Sequence, residues 1–242
     1  MAAAHAQPLL RIAAAADLEP VLPPVLAQFE QATGIRTEVT YKASAMLTTQ
    51  ILNGAPFDVF LSADLGYPQR LIAAGAAEGL SGATAPAVYA RGTLVLWERK
   101  GTRLPPPSLD LLRSPQLKRL AIASPERAPY GKAALAALRN LKLYEALAPR
   151  LATAENISQA AQFADSGNAD AGLISMTSAL TPRLQSDGEY FVIPRNLYPP
   201  IEQGAVIVSR SPSKSAAQRF LEFLLSAPVQ AELAKGGLKP AR

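Results

Sequence analysis

The chain contains no cysteine, and its one histidine is His5, ahead of the first strand-like run. The first absence removes a disulfide framework, thiolate catalysis and cysteine-ligated metal. The second leaves the body without an imidazole for acid–base work or metal ligation. Serine–histidine catalysis and the H-E-x-x-H pattern are excluded on the same ground. G-x-G-x-x-G after a strand, G-x-x-x-x-G-K-[ST] and G-x-S-x-G are also missing. Gly131-Lys132 is a fragment of the second, without its first glycine or its hydroxyl residue. Aromatics make up only 6% of the residues, too few to furnish the ring-lined cleft usual in sugar-cleaving enzymes. Paired carboxylates at unknown separation stay open as a catalytic device. No apolar run approaches the ~20 residues that span a bilayer.

What is present suits a soluble binding fold. A length of 242 residues allows one large domain or two moderate lobes, and 49% hydrophobic residues supply an ample core. The net charge is +5, but the cations are scattered, as in Arg36, Lys42, Arg70, Arg113, Lys118 and Lys142. Without an aromatic-interleaved basic stripe, no nucleic-acid partner is expected. A mild positive field draws anions instead. Ala4-His5-Ala6 before Gln7 has the small-x-small form of a signal-peptidase site, which makes residues 1–8 the remnant of a leader.

Along the chain, β and α signals alternate. Leu9 to Ala15 reads as a buried strand. Leu18, Val21, Leu22, Val25, Leu26 and Phe29 follow helical spacing up to Gly34, with a kink or restart expected at Pro23-Pro24. Further strands are predicted over Arg36–Tyr41, Phe57–Leu61, Thr93–Trp97, Leu120–Ala123, Ala171–Ile174, Phe191–Ile193 and Ala205–Val208. Helices are predicted from Ser44 to about Asn53, from Ser62-Ala63-Asp64 to Gly75, over Tyr130–Leu138, from Ile157 to Gly167, and twice near the end. This alternation is that of a mostly parallel sheet covered by helices.

Five segments end a strand and begin a helix with small residues: Ala14 to Leu18, Ala43-Ser44-Ala45, Ala128 to Gly131, Asn156-Ile157-Ser158 and Ile174 to Thr177. A helix N-terminus presents free N–H groups and partial positive charge, which suits an anion. Each one also reads as an ordinary cap. Five together, in a chain without catalytic groups, point to binding.

At these segments the sequence resembles the periplasmic molybdate-binding proteins of bacterial ABC importers. The resemblance runs from about Leu9 to Leu238. It is carried by Ala13 to Leu18, Phe29 to Gly34, Ser44 to Ile51, the run Asn53-Gly54-Ala55-Pro56-Phe57-Asp58-Val59-Phe60 followed by Ser62-Ala63-Asp64, Ala121 to Pro125, Pro129 to Lys132, Ala154 to Ile157, and Gly172 to Ile174.

The resemblance implies two α/β lobes joined by two crossing strands, near Arg91–Arg99 and Tyr198–Ser209. Residues 9–90 and 200–242 would form lobe 1, and 91–199 lobe 2. It implies a monomer in the periplasm that carries molybdate or tungstate between the lobes to a membrane permease, with no cofactor and no enzymatic activity. The implied ligand contacts are Ala16, Asp17, Ser44, Tyr130, Ile157 and Ser175. All act as hydrogen-bonding contacts to oxyanion oxygens, none as a ligand to the metal itself. Two depart from the commonest pattern, which has serine at Asp17 and tyrosine at Ser175. Ser44 also reads as an N-cap, Tyr130 as core at a helix start, and Ser175 as a cap. Asp58 and Asp64 read as caps and turn residues, and Trp97 as packing or hinge support.

A carboxylate at Asp17 facing an oxyanion would repel it. Three resolutions are open: the side chain turns back to cap the next helix, Lys42 neutralises it, or the ligand brings a donor. The first is favoured. Two other readings remain: the same fold holding a different oxyanion or a small organic acid, and a periplasmic enzyme using carboxylates that face each other across the cleft.

Overall fold

The structure is a computed structural model and describes residues 9–240; residues 1–8, where a leader remnant is expected, and with them His5, lie outside the described residues. In chain order the first elements are β1 (Leu9–Ala15), α1 (Leu22–Thr33), β2 (Arg36–Lys42), α2 (Ser44–Leu52), β3 (Val59–Ser62), α3 (Gly66–Ala73), β4 (Ala77–Glu78) and β5 (Ala87–Gly92). Next come β6 (Leu94–Arg99), β7 (Leu120–Ala123), α4 (Pro129–Asn140), α5 (Tyr144–Leu147), β8 (Leu151–Ala154), α6 (Ile157–Ser166), β9 (Ala171–Ser175), α7 (Met176–Ala179), α8 (Pro182–Asp187) and β10 (Gly188–Val192). The chain ends with β11 (Ile201–Val208), α9 (Lys214–Leu224), α10 (Ala227–Lys235) and β12 (Lys239–Pro240).

The strands form two sheets, each flanked by helices. The first runs β12-β5-β11-β3-β1-β2, with β4 added on β11; the second runs β10-β6-β9-β7-β8. The chain passes between them twice, at Thr93 and between Val192 and Ile201.

Both sheets are mixed where the βα alternation predicts mostly parallel ones. β2-β1-β3 and β9-β7-β8 are parallel, as right-handed βαβ units require. Around the two crossings, β5, β6, β10 and β11 make antiparallel ladders.

Side-chain periodicity explains the layers. On α1, Leu22, Val25, Leu26 and Phe29 face the first sheet. Phe29 meets Phe220 of α9 edge-to-face, with ring centroids 5.2 Å apart. Fully burying one such ring stabilises the lobe by roughly 1.5–3 kcal/mol. Pro23 and Pro24 lie in the first turn of α1, where an N–H has no intrahelical acceptor. The expected restart is therefore real: a short 3₁₀ turn over Ala16–Leu18 precedes α1. Trp97 is fully buried in the second lobe, its Nε1 donating to the carbonyl of Leu184 at 3.0 Å.

Candidate functional site

In open α/β sheets, ligands gather beyond the carboxyl ends of parallel strands. Here such ends from the two sheets face each other. β1 gives way to the 3₁₀ turn at Ala16, β2 to α2, β7 to the loop before α4, and β8 to α6. A small cavity between them is lined by 15–17, 42–44, Ala63, 128–130 and 156–157. Four of its lining residues other than Asp17 are sequence-expected contacts: Ala16, Ser44, Tyr130 and Ile157.

Ser44, Tyr130 and Ile157 stand in the first turns of α2, α4 and α6, where no intrahelical carbonyl reaches the backbone N–H. Their amides supply donors and partial positive charge without any titrating group. Small residues make this approach possible. Gly131 is one: a Cβ there would sit 2.3 Å from the carbonyl oxygen of Ala123, so only glycine lets α4 begin so close to β7.

The Ser44 side chain does not cap its own helix. Ala43 holds the cap position without a side-chain bond, and Ser44 Oγ accepts from the Ala63 N–H at 3.2 Å. It thereby ties the start of α2 to the end of β3. Ser175 acts as a buried cap: its Oγ accepts from the Ser178 N–H at 3.2 Å and lies 2.9 Å from Thr177 Oγ1. It does not line the cavity, so the structure does not bring it together with the other five expected residues.

Asp17 overturns the expectation favoured for it. Neither the 3₁₀ turn nor α1 carries a side-chain cap, and Asp17 turns to Gln203 on β11, whose Nε2 donates to Oδ2 at 2.5 Å. Lys42 lines the same cavity but makes no ion pair among the described residues, so it does not neutralise Asp17 either. The Tyr130 hydroxyl stands 3.5 Å from the same Gln203 nitrogen. Burial pushes the Asp17 carboxyl up from 3.8 to about 6, against the lowering effect of Gln203 and Tyr130. The Tyr130 phenol is itself driven well above its ordinary range, first by burial and then by Asp17.

Gln203 is the site-adjacent residue that the sequence reading missed. Its signal was a glutamine followed by Gly-Ala-Val-Ile-Val, a polar group entering a strand buried on both faces.

The lobes touch across the cavity. Ser158 Oγ donates to the Ala16 carbonyl at 2.9 Å, and Thr177 Oγ1 to the Asp17 carbonyl at 2.7 Å. Ala45 N–H reaches the Arg127 carbonyl at 3.2 Å, and Lys132 Nζ lies 3.5 Å from Asp64. This is a closed arrangement. Asp64 also accepts from the Tyr67 N–H at 3.0 Å, and Asp58 accepts from the Arg11 N–H at 2.7 Å and Ser211 Oγ at 2.5 Å; both carboxylates are structural, as expected. Two larger hollows, about 290 and 450 Å³, are lined by none of Ser44, Tyr130 and Ile157.

Comparison with known proteins gives this fold and sequence a family. Residues 10–239 match the family described as bacterial extracellular solute-binding protein. The chain belongs to that family. It is 37% identical to the molybdate-binding protein ModA of Rhodobacter capsulatus over 82% of this chain and 75% of that protein. It is 35% identical to ModA of Azotobacter vinelandii over 89% of this chain and 83% of that one. The solved periplasmic molybdate-binding protein of Azotobacter vinelandii superposes with a TM-score of 0.89 at 30% identity, covering 96% of this solute-binding chain and all of that one. These relatives are named as binding proteins, the solved one as periplasmic, and the family is described as extracellular.

Proposed function

We propose that this chain captures molybdate, or tungstate, between its lobes and delivers it to the permease of an ABC importer, as a monomer and without catalysis. The observation that carries the reading is the convergence of the first turns of α2, α4 and α6 with the end of β1 on one small cavity. Neutral donors held in fixed directions suit a tetrahedral oxyanion and let it go again. Selection against sulfate then follows from size, since a fixed ring of donors fits one radius best. We place the contacts at Ala16, Asp17, Ser44, Tyr130 and Ile157. Ser175 acts behind them, through Thr177, whose hydroxyl bonds to both Ser175 and the Asp17 carbonyl.

The lobes divide as residues 9–90 with 200–242, and 91–199. Sheet membership supports this, because β1–β5, β11 and β12 lie in one sheet and β6–β10 in the other. Removal of a leader by cleavage between Ala6 and Gln7 belongs to the same proposal. A cleft enzyme needs two carboxylates facing each other, and Asp17 is the one carboxylate in the cavity lining. The test is a thermal-shift screen over molybdate, tungstate, sulfate, phosphate and small carboxylates. Stabilisation by molybdate or tungstate above the rest is expected. A clear shift with another solute, and none with these, rejects the assignment.

A further inference from the structure

Asp17 is fully buried, and its Oδ1 has no hydrogen-bond partner among the described residues. Its other oxygen is bonded to Gln203, whose Oε1 is buried and unpartnered too. Two bare acceptors on one bonded pair are short of a donor, and each orphan is costly in a dry setting. A proton on Asp17 supplies the donor, turning a carboxylate that can only accept into an acid that can give.

No cation does this work. Lys42, at the end of β2, lines the cavity without an ion pair among the described residues. Tyr89 from β5, Tyr130 from α4 and Tyr198 from the second crossing stand around the group, and none of them carries positive charge. From α6 and α7 come the hydroxyls of Ser158 and Thr177, on the carbonyls of Ala16 and Asp17. Glu19 and Asp165 line an outer groove, where Asp165 pairs with Arg183 at 2.9 Å.

Three parts of the molecule meet at Asp17: its own strand end in the first lobe, Gln203 on a crossing strand, and Tyr130, Ser158 and Thr177 from the second lobe. Its surroundings therefore draw on both lobes. We propose that capture of an oxyanion by this chain takes up one proton, held on Asp17 as the lobes close over it. This rests on the oxyanion-binding reading above. The balance is one dianion and one proton in, one closed complex out, with the proton on the Asp17 carboxyl and no bond of the ligand broken. A neutral acid removes the repulsion that a buried carboxylate would exert on the anion.

The direction of the pH effect follows. On this proposal Asp17 meets water in the open form, where a carboxyl titrates in its ordinary range, whereas in the closed form burial raises it to about 6. Below both ranges the proton is present throughout, and above both it is absent throughout. Between them closure takes it up, so affinity falls as pH rises through that window.

The experiment is calorimetric titration of the full chain with molybdate at about pH 5.5, in buffers of different ionisation enthalpy. Between about half a proton and one proton taken up per molybdate is expected, with affinity about tenfold weaker at roughly pH 7 than at roughly pH 5. Asp17→Asn should bind without proton uptake and with affinity that no longer follows pH. Binding of molybdate to the wild-type chain with an enthalpy independent of buffer overturns the proposal, whether or not the variant folds. So does unchanged proton uptake in Asp17→Asn. No binding of molybdate at any pH overturns the oxyanion reading and this proposal with it.

Discussion

The phenol oxygen of Tyr130 occupies the space in which a side chain on Gly92 would begin: a Cβ built on Gly92 lies 2.3 Å from it. Gly92 is the last residue of β5, one step before the chain crosses to the second sheet. Tyr130 therefore packs its backbone against the cavity and its ring tip against the crossing.

Gly92→Ala should push Tyr130 off this seat. The added methyl would also come within 3.1 Å of Ile201 on β11, so neither neighbour can yield cheaply. A loss of about 1–3 kcal/mol, typical of overpacking, is expected in urea unfolding. Molybdate affinity should fall with it, because the start of α4 moves. Unchanged stability would show that Tyr130 finds another rotamer without strain.

Ser44→Ala removes two things at once. The Ala63 N–H loses its acceptor, at about 1–3 kcal/mol for a buried donor left alone. The ligand loses a hydroxyl, worth about 1.5–3 kcal/mol when the partner is charged. The N-terminus of α2 remains, so molybdate binding should weaken roughly 10- to 100-fold and not vanish. Lower stability with unchanged affinity would make Ser44 purely structural.

Lys132→Ala should weaken binding without touching the cavity. Lys132 pairs with Asp64 across the lobes at 3.5 Å and lies 4.6 Å from the centre of the Tyr67 ring. Exposed pairs of this kind contribute about 0.2–1 kcal/mol, so a loss of up to about fivefold is expected. Titrations at low and high ionic strength check it. The wild-type and variant affinities should converge as salt rises, and a constant ratio would place the effect elsewhere.

Small-angle scattering should give a larger radius of gyration without ligand than with saturating molybdate, since the closed bonds from Ser158, Thr177 and Ala45 span the two lobes. Superimposable curves would show that the lobes rest closed.

In the parallel cores, β1, β3, β7 and β9 were legible as buried apolar runs, and β2 by its alternation. β7 was read to the residue as Leu120–Ala123. β5 was missed because its apolar run, Ala87 to Ala90, is short and half alanine, a residue depleted in strands. β8 was missed because Thr153 breaks its four residues, so it lacks the continuous apolar run that marks β7. At the site, Ser44, Tyr130 and Ile157 were legible from their place at helix starts. The direction of a side chain was not. Local propensity made a cap of Asp17, but its partner lies 186 positions away, on a strand that enters from the other lobe. Ser175, equally local in appearance, does cap its helix.

The position of β11 has a consequence for the order in which the molecule can be built. This strand lies between β5 and β3 in the middle of the first sheet, yet it is made after every strand of the second. As the chain is synthesised from its N-terminus, β6–β10 can pair completely while β3 and β5 still wait with open edges. Those edges are the segments most exposed to wrong pairing during that interval. Completion of the first lobe is set by the arrival of Ile201–Val208, and this long-range closure should make its folding the slower of the two.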